Sequence, residues 1–417
     1  MNKNILDIFK NSLLVLILSL CIFVPITGFV LDDYEIILNL KPAITLPIIC
    51  FLSYILFSFL KIYFHKFYNK LAHRRQLLET ENKKHLQNSK NHKLRNFILS
   101  LIFILFLIMP FVIQKYWLTV MILALIYVLL GLGLNIVVGY AGLLDLGFVA
   151  FYAVGAYGYA LGSQYLGLTF WEALPFCALL AALFGAILGF PVLKMHGDYL
   201  AIVTLGFGEI IRLVLNNWAS FTHGPNGVKA MRPDLFNLEF SRYAKHGGVP
   251  FHEYFNIPYS SSYKYIFIYL VLLAVVTFMI FFVNKLKNMP LGRAWEALRE
   301  DEIAARSLGI YHVTTKLSAF SMGAFFGGLG GVFFAAYQGF INPSSFTFLE
   351  SALILAIVVL GGLGSILGVI ISAFIFTLLP EILRDFSSYR ILILGIIMVL
   401  MMIVRPRGLI TIKRPIY

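Results

Sequence analysis

Asp145, Asp198, Glu209, Arg212 and Glu350 lie within or at the ends of long apolar runs. Any chemistry in this chain starts from them, because an ionisable group in such a setting costs on the order of a few kcal/mol and so takes a partner, faces water or lines a pathway. Glu209 and Arg212 are three apart, which places them together on a helix face and favours a pair. Asp145 stands among Gly139, Gly142 and Gly147. Several glycines in nine residues permit a broken helix, tolerated at membrane depth only where protein or water covers the freed backbone. Asp145, Gly147 and Glu209 are therefore the candidates for lining a path. Catalytic constellations are missing. The dipeptide Gly-Lys never occurs, so there is no P-loop, and neither HExxH nor GxSxG is present. His252-Glu253 is followed by Tyr254, Phe255 and Asn256, which is no zinc helix. Cys21, Cys50 and Cys177 lie in apolar stretches without ligand spacing and read as small hydrophobes. Neither a catalytic residue, a metal site nor a cofactor is expected in this chain.

The elements that hold these residues follow from composition. Of 417 residues, 60% are hydrophobic and only 13% charged, with a mean hydropathy of +0.85. Soluble domains carry about 25% charged residues, so a soluble, disordered or disulfide-stapled chain is excluded. Apolar runs fall near 12–31, 43–64, 97–113, 116–139, 148–163, 174–193, 199–217, 263–284, 317–337, 350–363, 366–383 and 389–404. The fold class is an all-α polytopic membrane protein of 10–12 transmembrane helices, with glycine-broken or re-entrant segments; 350–363 is the run most open to a re-entrant reading. Gly323, Gly327 and Gly331 recur every four residues, as do Gly364 and Gly368. Small residues so spaced let helices approach closely in lipid.

Charge sets the topology. The net charge is +13, and it is concentrated in four segments. These are 1–11, 65–96 (nine basic against two acidic residues), 285–316 (six against four) and the tail from Arg405. With the N-terminus inside and strict alternation, all four fall on one face, the cytoplasmic one by the positive-inside rule. The acidic 32–42 and the long polar loop 218–262 fall outside. Nucleic acid is not an expected partner, because membrane topology accounts for the basic segments. The start resembles a signal peptide but lacks a small-residue cleavage site and reads as a retained first span. Both termini are expected in the cytoplasm.

Segment 285–316 is too polar to span. Pro290 opens it and Gly309 closes it, and Arg293–Leu308 is rich in helix formers. One short amphipathic helix over 290–309 is expected, either docking a partner or lying in the headgroups; its four acids argue against the second.

GRAWEALREDEIAARSLGI, at 292–310, resembles the cytoplasmic coupling helix of ABC-importer permeases of the branched-chain amino acid class. GLGLNIVVGYAGLLDLGFVAFYAVGAY at 131–157 is similar to that family's first signature. HGDYLAIVTLGFGEIIRLVLNN at 196–217 with THGPNGV at 222–228 is similar to its second. SFTFLESALILAIVVLGGLGS at 345–365 and RPRGLI at 405–410 complete the likeness. Residues 1–115, with three spans and a basic loop, resemble the extension of the longer, LivM-type subunits; 116–417 would be the permease core. The resemblance implies an inner-membrane permease that pairs with a homologous LivH-type permease and two ATPase subunits. ATP is then bound by those partners. A periplasmic binding protein would deliver leucine, isoleucine or valine. Carried over by position, Arg293, Glu296, Ala297, Arg299, Glu300, Asp301, Glu302, Ala304, Ala305 and Gly309 would form the ATPase contact. The chain departs from the family at Asp145–Phe148, where many members have Ser-Leu-Gly-His, and at His196, where many have Arg. In this frame Asp145 either caps the N–H groups of a half-helix or faces the substrate's ammonium, with capping favoured. The alternative is an ion-coupled secondary amino-acid transporter using Asp145, Glu209 or Glu350, which would have no need of segment 290–309.

Overall fold

The computed structural model describes residues 29–32, 35–38, most of 103–384 and scattered positions from 392 to 410. The apolar runs 12–31 and 43–64, apart from the hairpin below, lie outside the described residues, as do the basic segment 65–96 and most of 389–404. The chain forms two compact units, residues 1–102 and 103–417. In the first, strands β1 (Phe29–Asp32) and β2 (Glu35–Leu38) make an antiparallel hairpin that pairs Phe29 with Leu38. This hairpin begins inside the run read as the first span, because Val, Ile, Leu and Phe in a short stretch suit a strand as well as a helix.

The second unit is helical. Its helices are α1 (Phe103–Val112), α2 (Lys115–Leu134), α3 (Val149–Tyr165), α4 (Phe170–Val192), α5 (Asp198–Asn217) and α6 (Ser262–Lys287). There follow the short α7 (Pro290–Glu300) and α8 (Glu302–Ser307), then α9 (His312–Gln338), α10 (Phe348–Gly361) and α11 (Ile366–Ile382). Among the described residues six helices are long and apolar enough to cross a membrane, and two shorter apolar ones accompany them. The segment ending in α10 is one of the six, spanning Pro343–Gly361. Strand content in this unit is limited to two-residue pairs. β3 (Val228–Lys229) pairs with β6 (Phe340–Ile341), and β4 (Leu238–Glu239) with β5 (Val249–Pro250).

α9 is the central helix and packs on α2, α3 and α4. Its glycine stripe explains how. A Cβ added at Gly331 would lie 2.3 Å from the Tyr152 carbonyl oxygen, one at Gly327 2.9 Å from Phe151 Cβ, and one at Gly323 2.4 Å from Val137 Cγ2. Backbone touches helix here, the close-packing role expected of that spacing.

Helix ends sort into two sets. At one end, Lys115 Nζ donates to Ser261 Oγ at 3.0 Å, Lys264 Nζ to the Tyr337 carbonyl at 3.3 Å and Arg384 Nη1 to Tyr116 OH at 3.1 Å. At the other, Trp295 meets the start of α9, and Gly364 N donates to Asn135 Oδ1 at 2.8 Å. Loop 218–262 belongs to the first end and 288–311 to the second, as alternation requires.

Candidate functional site

Helix α2 does not simply stop. Its last residues run into a π-helix, Asn135–Tyr140, and the chain is then irregular to Phe148, with Gly142 at φ 71°. The glycine cluster therefore breaks the helix as its sequence implied. Asp145 is buried in the break, and its Oδ1 accepts from Gly147 N at 2.8 Å. Its Oδ2 finds no donor. Leu146 N donates to Thr204 Oγ1 at 3.0 Å, and Val149 N, at the start of α3, donates to Ser351 Oγ at 3.0 Å. The first N–H of helix α3 is thus met by a side chain of α10, and an N–H within the break by one of α5. Gly147 is pressed on α5: an added Cβ would lie 1.9 Å from the Thr204 carbonyl oxygen. Asp145 and Gly147 are thus brought together. Glu209 instead accepts from Arg212 Nε at 2.8 Å on its own helix, with each side chain about a third exposed (33% and 32%). Glu350 accepts from Tyr127 OH at 2.9 Å.

A second break follows α10. Gly362 and Gly364 have φ of 106° and 84°, conformations that glycine adopts without strain. Segment 408–410 stitches this turn: Leu409 N donates to the Leu360 carbonyl at 2.8 Å and Ile410 N to that of Gly361 at 3.3 Å. A Cβ added at Gly408 would lie 2.4 Å from Gly362 Cα.

The polar segment folds as two helices where one was expected. Asp301 leaves helical geometry at φ −157°, and its Oδ1 accepts from Ile303 N and Ala304 N at 2.8 and 3.0 Å. It is the N-cap of α8, and a capping Asp ends one helix as it starts the next. Gly309, at φ 84°, closes α8; Gly309 N donates to the Arg306 carbonyl and Ile310 N to that of Ala305. Trp295 is 1% exposed, and its Nε1 donates to the Thr315 carbonyl and to Ser318 Oγ, both at 3.0 Å. Lys316, also buried, donates to Glu302 Oε2 at 2.9 Å, and Arg306 pairs with the other oxygen. Burial works to raise the Glu302 carboxyl, but the Lys316 and then the Arg306 hydrogen bonds and charges outweigh it and hold it below its ordinary value.

Of the ten residues matched to an ATPase contact, Arg293, Glu300, Asp301, Ala304 and Gly309 are exposed, and Glu296, Ala297 and Glu302 are half-buried. Ala305 is buried, and Arg299 turns inward, its Nη1 donating to the Gly139 carbonyl. Three apolar residues outside that set stand out instead: Ile303 (79%) and Tyr311 (63%), which sequence reasoning passed over, and Leu308 (81%) are exposed at this polar end. The signal was there, since apolar positions at 303 and 308 flank the buried Ala305 on a short helix. Asn135 was also missed, although a lone amide in an apolar run needs a partner; here it is Gly364 N.

At the opposite end, a cavity of about 470 Å³ is lined by both charge signs, Lys229 and Arg232 with Asp234 and Glu239. Its wall is tied to α3 by Gln164 Nε2, which donates to the Lys229 carbonyl at 3.0 Å, and by Tyr159 OH, which donates to that of Met231 at 2.8 Å. Among the described residues no group of three or more His, Cys, Asp or Glu side chains is placed to hold a metal ion.

A sequence profile described as "Branched-chain amino acid transport system / permease component" matches residues 116–404. The chain is 54% identical over 308 residues to the high-affinity branched-chain amino acid transport system permease protein LivM of Escherichia coli (strain K12), a match covering 73% of this chain and 72% of that protein. It is 53% identical over 308 residues to the protein of the same name from Salmonella typhimurium, with the same 73% and 72% coverage. A probable branched-chain amino acid transport permease protein LivM of Methanocaldococcus jannaschii is 24% identical over 260 residues, 58% of this chain and 68% of that one. No solved structure matches the chain.

Proposed function

The chain belongs to the branched-chain amino acid transport permease family, as a multi-pass membrane protein, and from that membership we propose that it is the LivM-type permease subunit of an ATP-driven importer of leucine, isoleucine and valine in the bacterial inner membrane. It works beside a LivH-type permease. Two ATPase subunits bind the ATP and drive it, a periplasmic binding protein supplies it, and this chain contributes no catalytic group of its own.

One observation carries the reading. The α7–α8 pair is rigidly mounted, by Trp295 on α9 and by the Lys316–Glu302–Arg306 cluster, yet Ile303 on α8 and Leu308 and Tyr311 just beyond it stand outward among exposed charges. Fixed apolar anchors ringed by charge suit a protein groove, since such anchors dominate interface energy. Exposed acids at Glu300 and Asp301 suit an anionic lipid surface poorly. The pair is thus the cytoplasmic coupling element, with Arg293, Glu296, Ala297, Glu300, Asp301, Ala304 and Gly309 around the anchors. Loop 218–262, with its two-signed cavity, is part of the periplasmic face that receives the binding protein.

The test is purification of the tagged chain with its ATPase partners, followed by reconstitution. Uptake of labelled leucine is expected to require ATP and the binding protein. Uptake driven by a proton or sodium gradient without ATP would sink the reading.

A further inference from the structure

We propose that Arg299 is the internal link through which the α7–α8 pair acts on the two glycine breaks, rather than part of the ATPase-facing surface. The proposal rests on the coupling role given to that pair above.

The guanidinium reaches back across 160 residues of sequence to the Gly139 carbonyl. Gly139 lies in the last turn of the π-helix that ends α2. The last carbonyls of a helix lack intrahelical donors and carry the negative end of its dipole, so a cation there satisfies both. The stem of Arg299 lies over the first break: a Cβ added at Gly142 would sit 2.7 Å from Arg299 Cγ and 3.1 Å from its Cβ. Its Nη1 also borders the second break, because a Cβ added at Gly364 would sit 3.8 Å from that atom and 3.5 Å from the Gly139 oxygen. The breaks are themselves joined, by Gly364 N donating to Asn135 Oδ1.

One side chain of α7 therefore bonds to backbone at the first break and borders the second. Trp295 fixes where the helix pair sits on α9; Arg299, one turn further on, meets the backbone at the end of α2 and lies beside the turn between α10 and α11. Displacement of the pair by an ATPase must move this guanidinium or strip it from Gly139. Arginine suits the task because its planar fork holds several donors in fixed geometry. Coupling needs an element with two arrangements that both sites bias, and segments with left-handed glycines at 142, 362 and 364 are the backbone best able to change course.

The test uses the full complex in lipid. Arg299→Met keeps length and removes the donor. The readouts are co-purification of the ATPase subunits, the rate of ATP hydrolysis, and leucine imported per ATP hydrolysed. Arg299→Met is expected to keep its ATPase subunits and hydrolyse ATP while importing roughly tenfold less leucine per ATP, the usual scale of a lost coupling. A ratio within about twofold of the unaltered chain, below that scale, would overturn the proposal. So would loss of the ATPase subunits, which would return Arg299 to the docking surface. If Arg299→Met fails to reach the membrane, Arg299→Leu takes its place, with the same ratio supporting or overturning the link at the same values. Should the unaltered chain hold no ATPase, the importer reading falls first and this link falls with it.

Discussion

Trp295 is the position at which the mounting of the polar helix pair can be weighed. Its indole is buried and donates from one N–H to two acceptors on the first two turns of α9. Trp295→Phe removes the donor and part of the ring. It leaves no acceptor stranded, since Ser318 Oγ still donates to the Thr315 carbonyl at 2.7 Å. The hydrogen-bond part of the cost is about 1 kcal/mol, or roughly a fivefold rise in local opening, and the lost ring area adds to it. Trp295→Ala also empties the site, at about 3–5 kcal/mol for a buried Trp, which is roughly a hundredfold rise or more. Amide hydrogen exchange over 291–308 in detergent or nanodiscs reads these openings directly. The expected order is unaltered chain, then Phe, then Ala, with exchange beyond α9 unchanged. If Trp295→Ala exchanges over 291–308 within about twofold of the unaltered chain, the indole does not hold the pair and the mounting argument is wrong.

Ile303→Asp and Leu308→Asp alter side chains that the chain itself leaves exposed, so membrane insertion should be normal while ATPase co-purification drops by roughly tenfold, the effect of losing an interface anchor; retained co-purification would move the interface elsewhere. Asp145→Asn keeps an acceptor for Gly147 N and should express and import normally, whereas Asp145→Leu leaves that N–H unmet and should lower the amount of chain in the membrane by immunoblot; impaired uptake by well-expressed Asp145→Asn would show that the charge itself is used. Because Lys316 and Arg306 depress the Glu302 carboxyl in the fold, its contribution is in full force above the ordinary carboxylate range and is lost as pH falls through the lowered value. Hydrogen exchange in α8 should therefore stay flat from neutral to mildly acidic pH once corrected for intrinsic rates, and Glu302→Gln should raise it across that whole range; equal exchange in both proteins would remove the cluster from the mounting.

Fold class, helix order and the site region were largely legible in the sequence, for physical reasons that differ by residue. An apolar run such as 263–284 can only be a helix in lipid, and it became one with its ends shifted by a few residues. The stripe of Gly323, Gly327 and Gly331 announced its packing because nothing else explains that spacing. The bracket of Pro290 and Gly309 set the outer limits of the polar segment, but its division at Asp301 was hidden: an acid inside a row of acids reads as surface charge until its side chain is seen accepting two backbone N–H groups. Glu209 and Arg212 paired as their spacing suggested. The inward turn of Arg299 was not legible, because its partner is a backbone carbonyl and a carbonyl has no sequence signature. The hairpin at 29–38 escaped for a related reason, since strand pairing there depends on backbone geometry that two short apolar arms beside Asp32 and Glu35 do not disclose.

The stitch between segment 408–410 and the end of α10 has a consequence for biosynthesis. The carbonyls of Leu360 and Gly361 receive their donors from Leu409 and Ile410, which the ribosome makes only after α11 and the apolar run 389–404. Until then α10 must wait in the bilayer with its lower end open, exposed to lipid headgroups and to quality-control proteases. Assembly of this half of the bundle is therefore completed only by residues that follow α11 and that apolar run. A stop codon or a fusion joint placed just before Gly408 would leave α1 to α11 complete and still produce a subunit that never finishes closing.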